Sequence, residues 1–320
     1  MTRITEWLLA TDPALRWQVE RDLLGLDDDV WRATRARVAT EGFGARLLAH
    51  QDADGRWAQG AFFPGGQAWF DVQDERPQPW TATTWSLSSL REWGLDPAVL
   101  QARDTAGLLA RHCRWEYDDL PYWGGEVDCC INAFTLANGT WLGVDVSTVR
   151  DRLVDGRMAD GGWNCWWVDG ATVSSFRSTL NVVRGLLAHE QLVGGDERVR
   201  AARHTGEEYL LARRLMYRLS TGELVGEWVH RSEYPFRGDY SLLRAADHFR
   251  RAALHDGVAP DERLRDAVEA VRSARREDGT WARTHRHAGD VWFEVDVPVG
   301  EASPWLTLTG TLLLRWWDRA

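Results

Sequence analysis

Three stretches of this chain close on the same four-residue phrase, Asp-Gly-x-Trp. They run from Gln51 to Trp57, from Arg157 to Trp163 and from Arg275 to Trp281, with a looser relative from Asp119 through Trp123 to Gly125. The glycine admits a positive φ, the aspartate can bond the turn backbone, and the tryptophan is left to pack beneath. A turn written three times means a supersecondary unit built several times over, and repeats of this kind decide an architecture.

Each turn is followed by a segment of helical period. After Pro79, residues Trp80, Thr84, Leu87 and Leu90 share a face; after Ser174, so do Phe176, Leu180, Val183 and Leu187. Such segments begin near Pro13, Pro79, Asp128, Ser174, Asp239 and Pro304, and proline, serine and aspartate suit first or capping positions. The polar stretches between them predict outer partners at roughly 30–50, 96–114, 146–156, 196–218 and 259–276, with residues 2–10 beside the last inner helix. The expected fold is all-α and a single domain over 1–320, an (α/α)6 toroid of six inner and about six outer helices around a central cavity. Hairpins that all run the same way bring the positive poles of the inner helices to one end.

Tryptophan is what would line that cavity: 20 Trp in 320 residues is more than one packed core needs, and 44% apolar residues already suffice for the core. With 38 basic against 48 acidic side chains the net charge is −10, and every basic side chain is arginine. That balance argues against a nucleic-acid partner, because phosphate binding needs a clustered cationic surface. No stretch approaches the length of a membrane span, and Met1 to Trp17 holds only the short apolar run Trp7 to Ala10 instead of a secretory core. Cys113, Cys129, Cys130 and Cys165, two of them adjacent, make a poor disulfide framework and point to the reducing cytoplasm.

At the turns the sequence resembles the α/α-toroid superfamily of squalene-hopene-type terpene cyclases and protein prenyltransferase β subunits. Gln51 to Trp57 fits the cyclases' Gln-x-x-Asp-Gly-x-Trp motif at every fixed position, and the other copies keep Asp-Gly-x-Trp. At the level of repeats the resemblance spans essentially the whole chain; the motif is structural in that family and speaks for fold more than reaction. It implies chemistry at the starts of the inner helices, here Arg16 and Trp17, Trp80 and Thr81, Asp128 with Cys129 and Cys130, Phe176 and Arg177, Asp239 and Tyr240, and Trp305. A chain of this length is one toroid, half of a two-domain triterpene cyclase, which implies a smaller ligand.

Three functional readings meet at these positions. The first is a terpene-cyclase-like enzyme performing acid-initiated cyclisation or isomerisation on a hydrophobic or aromatic small molecule, with room for an anionic group. Glu126-Val127-Asp128-Cys129 resembles the cyclases' Asp-x-Asp-Asp motif, which implies Asp128 as proton donor. Glu126 stands beside it to raise its pKa, and Tyr240 is a second proton-transfer or orienting group. Arg16 and Arg177 would anchor an anion, while Trp80, Trp123, Trp163, Trp166, Phe176 and Trp305, with Cys130 and Cys165, would bind the body of the substrate and offer π faces to carbocations. The motif's last aspartate is Cys129 here, and the bland alternative is that Asp128 caps its helix and pairs with Arg177.

The second reading is a non-catalytic protein that sequesters a metabolite or antibiotic in the same cavity. The third is a zinc-thiolate, prenyltransferase-like enzyme: Gly124 to Cys130 resembles that family's Gly-Gly-Glu-Val-Asp and Asp-x-Cys stretches, implying zinc on Asp128, Cys130 and Cys165, although Arg177 stands where the family has its histidine. The main reading commits to no cofactor. His285, His287 and Asp290 are expected in an exposed polar loop, and His230 and His248 carry no assigned role.

Overall fold

The computed structural model describes residues 2–68 and 76–319. Among these the chain is 55% helix and forms no strand; the extended contacts are isolated bridges such as Gln51 with Trp57 and Arg114 with Pro121. No helix is long and apolar enough to cross a membrane among the described residues. The chain divides into two compact units, one comprising Met1–Arg152 and His287–Val295, the other Leu153–Arg286 and Asp296–Ala320.

The first unit contains helices Arg3–Leu9, Pro13–Gln18, Asp28–Ala36, Gly42–Leu48, Thr83–Glu92, Pro97–Gln101, Thr105–His112 and Cys129–Leu142, and the unit boundary falls inside Ser147–Asp155. The second contains Phe176–Val193, Glu197–Ala212, Leu242–Asp256, Arg265–Ser273 and Pro304–Trp317. Every expected helix has a counterpart, but two of the outer stretches are broken. The one expected at 30–50 is interrupted by a 3-10 turn Arg37–Ala39, and that at 96–114 by Asp104 in the left-handed region. Burial contrasts most sharply between Cys129–Leu142, which leaves only Cys130 and Thr140 less than buried, and Asp28–Ala36, which buries Thr34 alone.

Proline and serine mark starts as expected at Pro13 and Pro304, and Ser175, Ser241 and Ser303 accept capping bonds from Ser178, Arg244 and Leu306. The helix expected from Pro79 begins instead at Thr83. Its N-cap, Ala82, has no side-chain acceptor, so the amides of Thr83 and Thr84 are satisfied by the carbonyls of Gly60 and Ala61 at 3.1 and 2.9 Å. Before it, the backbone N–H of Trp80 donates to Asp290 O at 2.8 Å and its indole to Ala288 O at 2.6 Å, which ties the segment His287–Val295 onto the first unit.

The three Asp-Gly-x-Trp turns have one hydrogen-bonding pattern. Gly55, Gly161 and Gly279 all take positive φ, 87°, 98° and 84°. The indole N–H of Trp57 donates to Leu47 O, that of Trp163 to Leu153 O and that of Trp281 to Val271 O, at 2.8 to 2.9 Å. The backbone N–H of each donates to a threonine hydroxyl in the first turn of the following helix, Thr83, Thr179 or Thr307, at 3.1 Å. Each tryptophan therefore bonds the end of one helix and the start of the next, and all three rings are at most 2% exposed. The aspartates differ: Asp54 and Asp278 hold their own turn backbone, while Asp160 accepts the amide and hydroxyl of Ser174.

The second unit also buries charge. Arg203, with no exposed side-chain surface, makes two-pronged bonds to Glu190 and Asp256 at 2.7 to 3.1 Å and a further bond to Glu207 at 3.0 Å. His248 Nε2 lies 2.8 Å from Glu207 and His204 Nε2 lies 3.1 Å from Asp256. These residues join Phe176–Val193, Glu197–Ala212 and Leu242–Asp256, so the polar faces of three helices are pinned at one arginine.

Candidate functional site

The acidic stretch singled out by sequence forms a tight turn ahead of the helix Cys129–Leu142. Gly125 turns the chain with φ 82°, and Glu126 follows at 8% exposure. Its backbone is gripped by the Asn132 amide, whose Oδ1 accepts the Glu126 N–H at 2.8 Å and whose Nδ2 donates to the Glu126 carbonyl at 2.6 Å. Arg152 Nη1 donates to the same carbonyl at 3.0 Å. The Glu126 carboxylate turns forward and accepts the N–H groups of Asp128 and Val127.

Asp128 occupies the N-cap position but makes no side-chain capping bond, and the Glu126 carboxyl holds the backbone N–H groups of Val127 and Asp128 just ahead of the helix. Burial drives the Glu126 carboxyl above the ordinary range; the amides of Asp128 and Val127 and the Arg152 guanidinium offset part of that, and nearby Glu116 adds to it.

The same helix carries Phe134 into an aromatic cluster with Trp80, Trp85 and Ala82, against which Phe62 and Val291 pack. Trp80 and Trp85 meet edge to face at 4.7 Å between centroids, Phe62 lies 4.8 Å from Trp85, and Phe134 lies 5.3 Å from it. Six residues of helix separate Asp128 from Phe134, about 9 Å of rise. The first unit thus places a buried acid at the head of a helix and an aromatic cluster less than two turns along it. Trp123 is buried with its indole donating to Ala106 O at 3.0 Å, and Arg16 is engaged by Glu20 at 2.7 Å.

The second unit holds the remaining candidates. Arg177 pairs with Asp239 at 3.2 Å and donates to Gly238 O. Both arginines expected to anchor an anion are thus matched by carboxylates of their own unit. Phe176, Trp228 and Tyr240 form an edge-to-face group with centroids 5.5 to 6.3 Å apart. The Tyr240 hydroxyl donates to Leu215 O at 2.7 Å, and burial pushes it well above the usual tyrosine range, so its proton is committed to the backbone. Trp305 stacks on Tyr234 at 4.1 Å. Trp163 is the buried turn tryptophan described above, while Trp166 is 69% exposed. Cys165 is half-buried, with the Ser178 hydroxyl 3.4 Å from its sulfur.

Of the residues considered for zinc, Asp128 and Cys130 belong to the first unit and Cys165 to the second. Arg177, at the place of the histidine, is a permanent cation and ligates no metal.

Sequence reasoning missed four participants. Glu116, 5% exposed, collects the amides of Ala61, Phe62 and Phe63 at 2.8 to 3.1 Å, and burial raises its carboxyl despite those bonds. It thereby sets Phe62 against Trp85. Nothing in Trp115-Glu116-Tyr117 announces this, because the partners lie more than fifty residues away. Asn132 and Arg152 were equally silent, although an asparagine four residues after Asp128, within the apolar run Cys129 to Phe134, was a usable signal. The fourth is His287, expected in an exposed loop with His285; it is 6% exposed and packs on Trp80 at 5.2 Å, whereas His285 stays partly exposed.

No protein-family model matches the chain, and no curated protein or solved structure matches it either.

Proposed function

We propose that this chain is an α/α toroid of the terpene-cyclase type that binds a hydrophobic small molecule and isomerises or cyclises it by acid catalysis at Glu126 and Asp128. The fold part of the reading is supported by the three turns, alike in their tryptophan bonds, and by the burial contrast between helices such as Cys129–Leu142 and Asp28–Ala36. The functional part is carried by one observation: a buried carboxyl, Glu126, bonded to the backbone of Asp128 at the head of the helix that bears Phe134 of the aromatic cluster.

In the mechanism, Asp128 gives its proton to one carbon of a substrate alkene, whose π pair forms the new C–H bond and leaves a carbocation at the other carbon. The π faces of Trp80, Trp85 and Phe134 stabilise that cation, by about 0.5–2 kcal/mol for each ring within reach. Attack by a second alkene closes a ring, and loss of an adjacent proton to the Asp128 carboxylate restores the acid, so the reaction is redox-neutral and needs no co-substrate. Glu126, two residues away and bonded to the Asp128 peptide, would oppose ionisation of Asp128 when it is itself ionised. The engaged state of Arg16 and Arg177 favours a neutral substrate over a diphosphate.

The test is tryptophan fluorescence during titration with isoprenoid alkenes, epoxides and diphosphates, followed by mass spectrometry of the products. Quenching with an isomeric product that falls about a hundredfold or more in Asp128→Asn and Glu126→Gln supports the reading. Quenching without product replaces it with sequestration, and turnover unchanged in Asp128→Asn overturns the acid assignment.

A further inference from the structure

A buried indole normally gives its N–H to an acceptor, because a donor left without one in an apolar interior loses the bond it made to water. The first unit follows that rule at Trp17, Trp57, Trp80, Trp115, Trp123 and Trp292, whose indoles donate to backbone carbonyls at 2.6 to 3.0 Å. Trp85 departs from it. Its ring is 3% exposed, and its Nε1 is buried with no hydrogen-bond partner among the described residues.

The surroundings of Trp85 explain the exception. It sits in the first turn of Thr83–Glu92, with Trp80 edge to face at 4.7 Å, Phe62 at 4.8 Å and Phe134 at 5.3 Å between centroids. Those rings, and Ala82 beside them, carry no side-chain acceptor. Water is a poor partner in such a place, since it needs two to four polar contacts and brings two donors of its own. The group that fits accepts one hydrogen bond, donates none, and is attached to an apolar body that the rings can cover.

We propose that the aromatic cluster of the first unit binds an apolar molecule carrying one such acceptor, a ketone or ether oxygen, and that the Trp85 indole N–H holds that oxygen. This names the ligand class for the cluster assigned above to carbocation stabilisation, and only its catalytic meaning rests on that reading. Trp80 cannot share the role, because its own indole is committed to Ala288 O at 2.6 Å. That bond, with the Trp80 N–H to Asp290 O and the Trp292 indole to Thr81 O, fixes the segment 287–295 against the cluster. The segment has neither helix nor strand, and its Val291, like Phe62, packs on the cluster while only partly buried. A ligand therefore reaches Trp85 by displacing Phe62 and Val291, leaving the helices Thr83–Glu92 and Cys129–Leu142 in place.

The experiment compares two probes of one shape, methyl naphthyl ketone and isopropenylnaphthalene, which differ in an oxygen acceptor against a CH2 group. Binding to the full chain is followed by tryptophan fluorescence and by the indole N–H proton resonance of Trp85. That resonance is assigned by its contacts with Phe62 and Phe134 and by its loss in Trp85→Phe, with a thermal melt to establish that the variant is folded. The ketone is expected to move the resonance downfield and to bind about threefold to tenfold tighter than the alkene. Trp85→Phe, which keeps a ring but no donor, is expected to abolish that difference and leave alkene binding as it was. Equal affinities in the wild type, a preference that survives in folded Trp85→Phe, or no binding of either probe overturns the proposal. So does a free-protein resonance that already has the position of a bonded indole and exchanges magnetisation with water, since water is then the partner. Should Trp85→Phe fail to fold, movement of the wild-type resonance by the ketone and not by the alkene decides. A ketone preference in a protein that converts no isoprenoid sustains the site and removes the cyclase reading; isoprenoid turnover lost in Asp128→Asn, without a ketone preference, does the reverse.

Discussion

Thr83, Thr179 and Thr307 show how a repeat is enforced one side chain at a time. Each hydroxyl accepts the backbone N–H of a buried turn tryptophan at 3.1 Å, and Thr83 also donates to Gly60 O at 2.6 Å. Valine has threonine's shape without the acceptor, so Thr→Val leaves a buried amide unpaired, at a cost of about 1–3 kcal/mol. We expect Thr83→Val, Thr179→Val and Thr307→Val to lower stability by similar amounts in urea unfolding, with unchanged slope. A null effect at one site would show that its turn is held by other bonds. The tryptophans were legible in the sequence because Asp-Gly-x-Trp is local. Their threonine partners were not, since they sit 16 or 26 residues further on and are ordinary helix residues by composition.

At the scale of the element, the informative case is the group of three helices joined at Arg203. Burial alone would raise Glu207 and Asp256, but the histidines and the guanidinium outweigh it and hold both carboxyls below their ordinary values. Burial lowers His248, and Glu207 only partly restores it. The signs agree. A histidine whose folded pKa is depressed stabilises the fold above its unfolded value of 6.5 and withdraws that stability as pH falls below it. Depressed carboxyls stabilise above 4.5 and 3.8 and withdraw in turn below those values. We therefore expect thermal stability to begin falling as pH drops through about 6.5 and to fall again in the carboxylate range, with the first step reduced in His248→Gln. Arg203→Met should cost about 3–5 kcal/mol by leaving three buried or half-buried carboxylates without their cation, and a melt within a degree of wild type would refute this. None of the cluster was read from sequence: Glu190, Arg203, Glu207 and Asp256 look like the solvated outer faces of helices, and His248 looked isolated.

Over the whole molecule, 48 acidic side chains face 38 arginines, and many of those arginines are spent on short-range pairs such as Arg37 with Glu41 and Arg263 with Glu208. That balance leaves the chain net acidic, and we expect no retardation of duplex DNA in a gel even at low salt; binding that weakens steeply with added salt would contradict it. The all-α class, helix starts such as Pro13 and Pro304 and the recurrence of the Asp-Gly-x-Trp turn are properties of the sequence alone. They follow from local rules: periodicity, serine and proline at helix starts, and glycine at positive φ. The placing and the surroundings of the Glu126 carboxyl, by contrast, were decided in three dimensions. Sequence placed Asp128 first and Glu126 as its modulator, yet capping depends on which oxygen reaches the amides, and proton affinity on what surrounds it. Asn132, Arg152 and Glu116 supply those surroundings from three different segments, and burial and charge, being sums over neighbours in space, are invisible until the chain has folded.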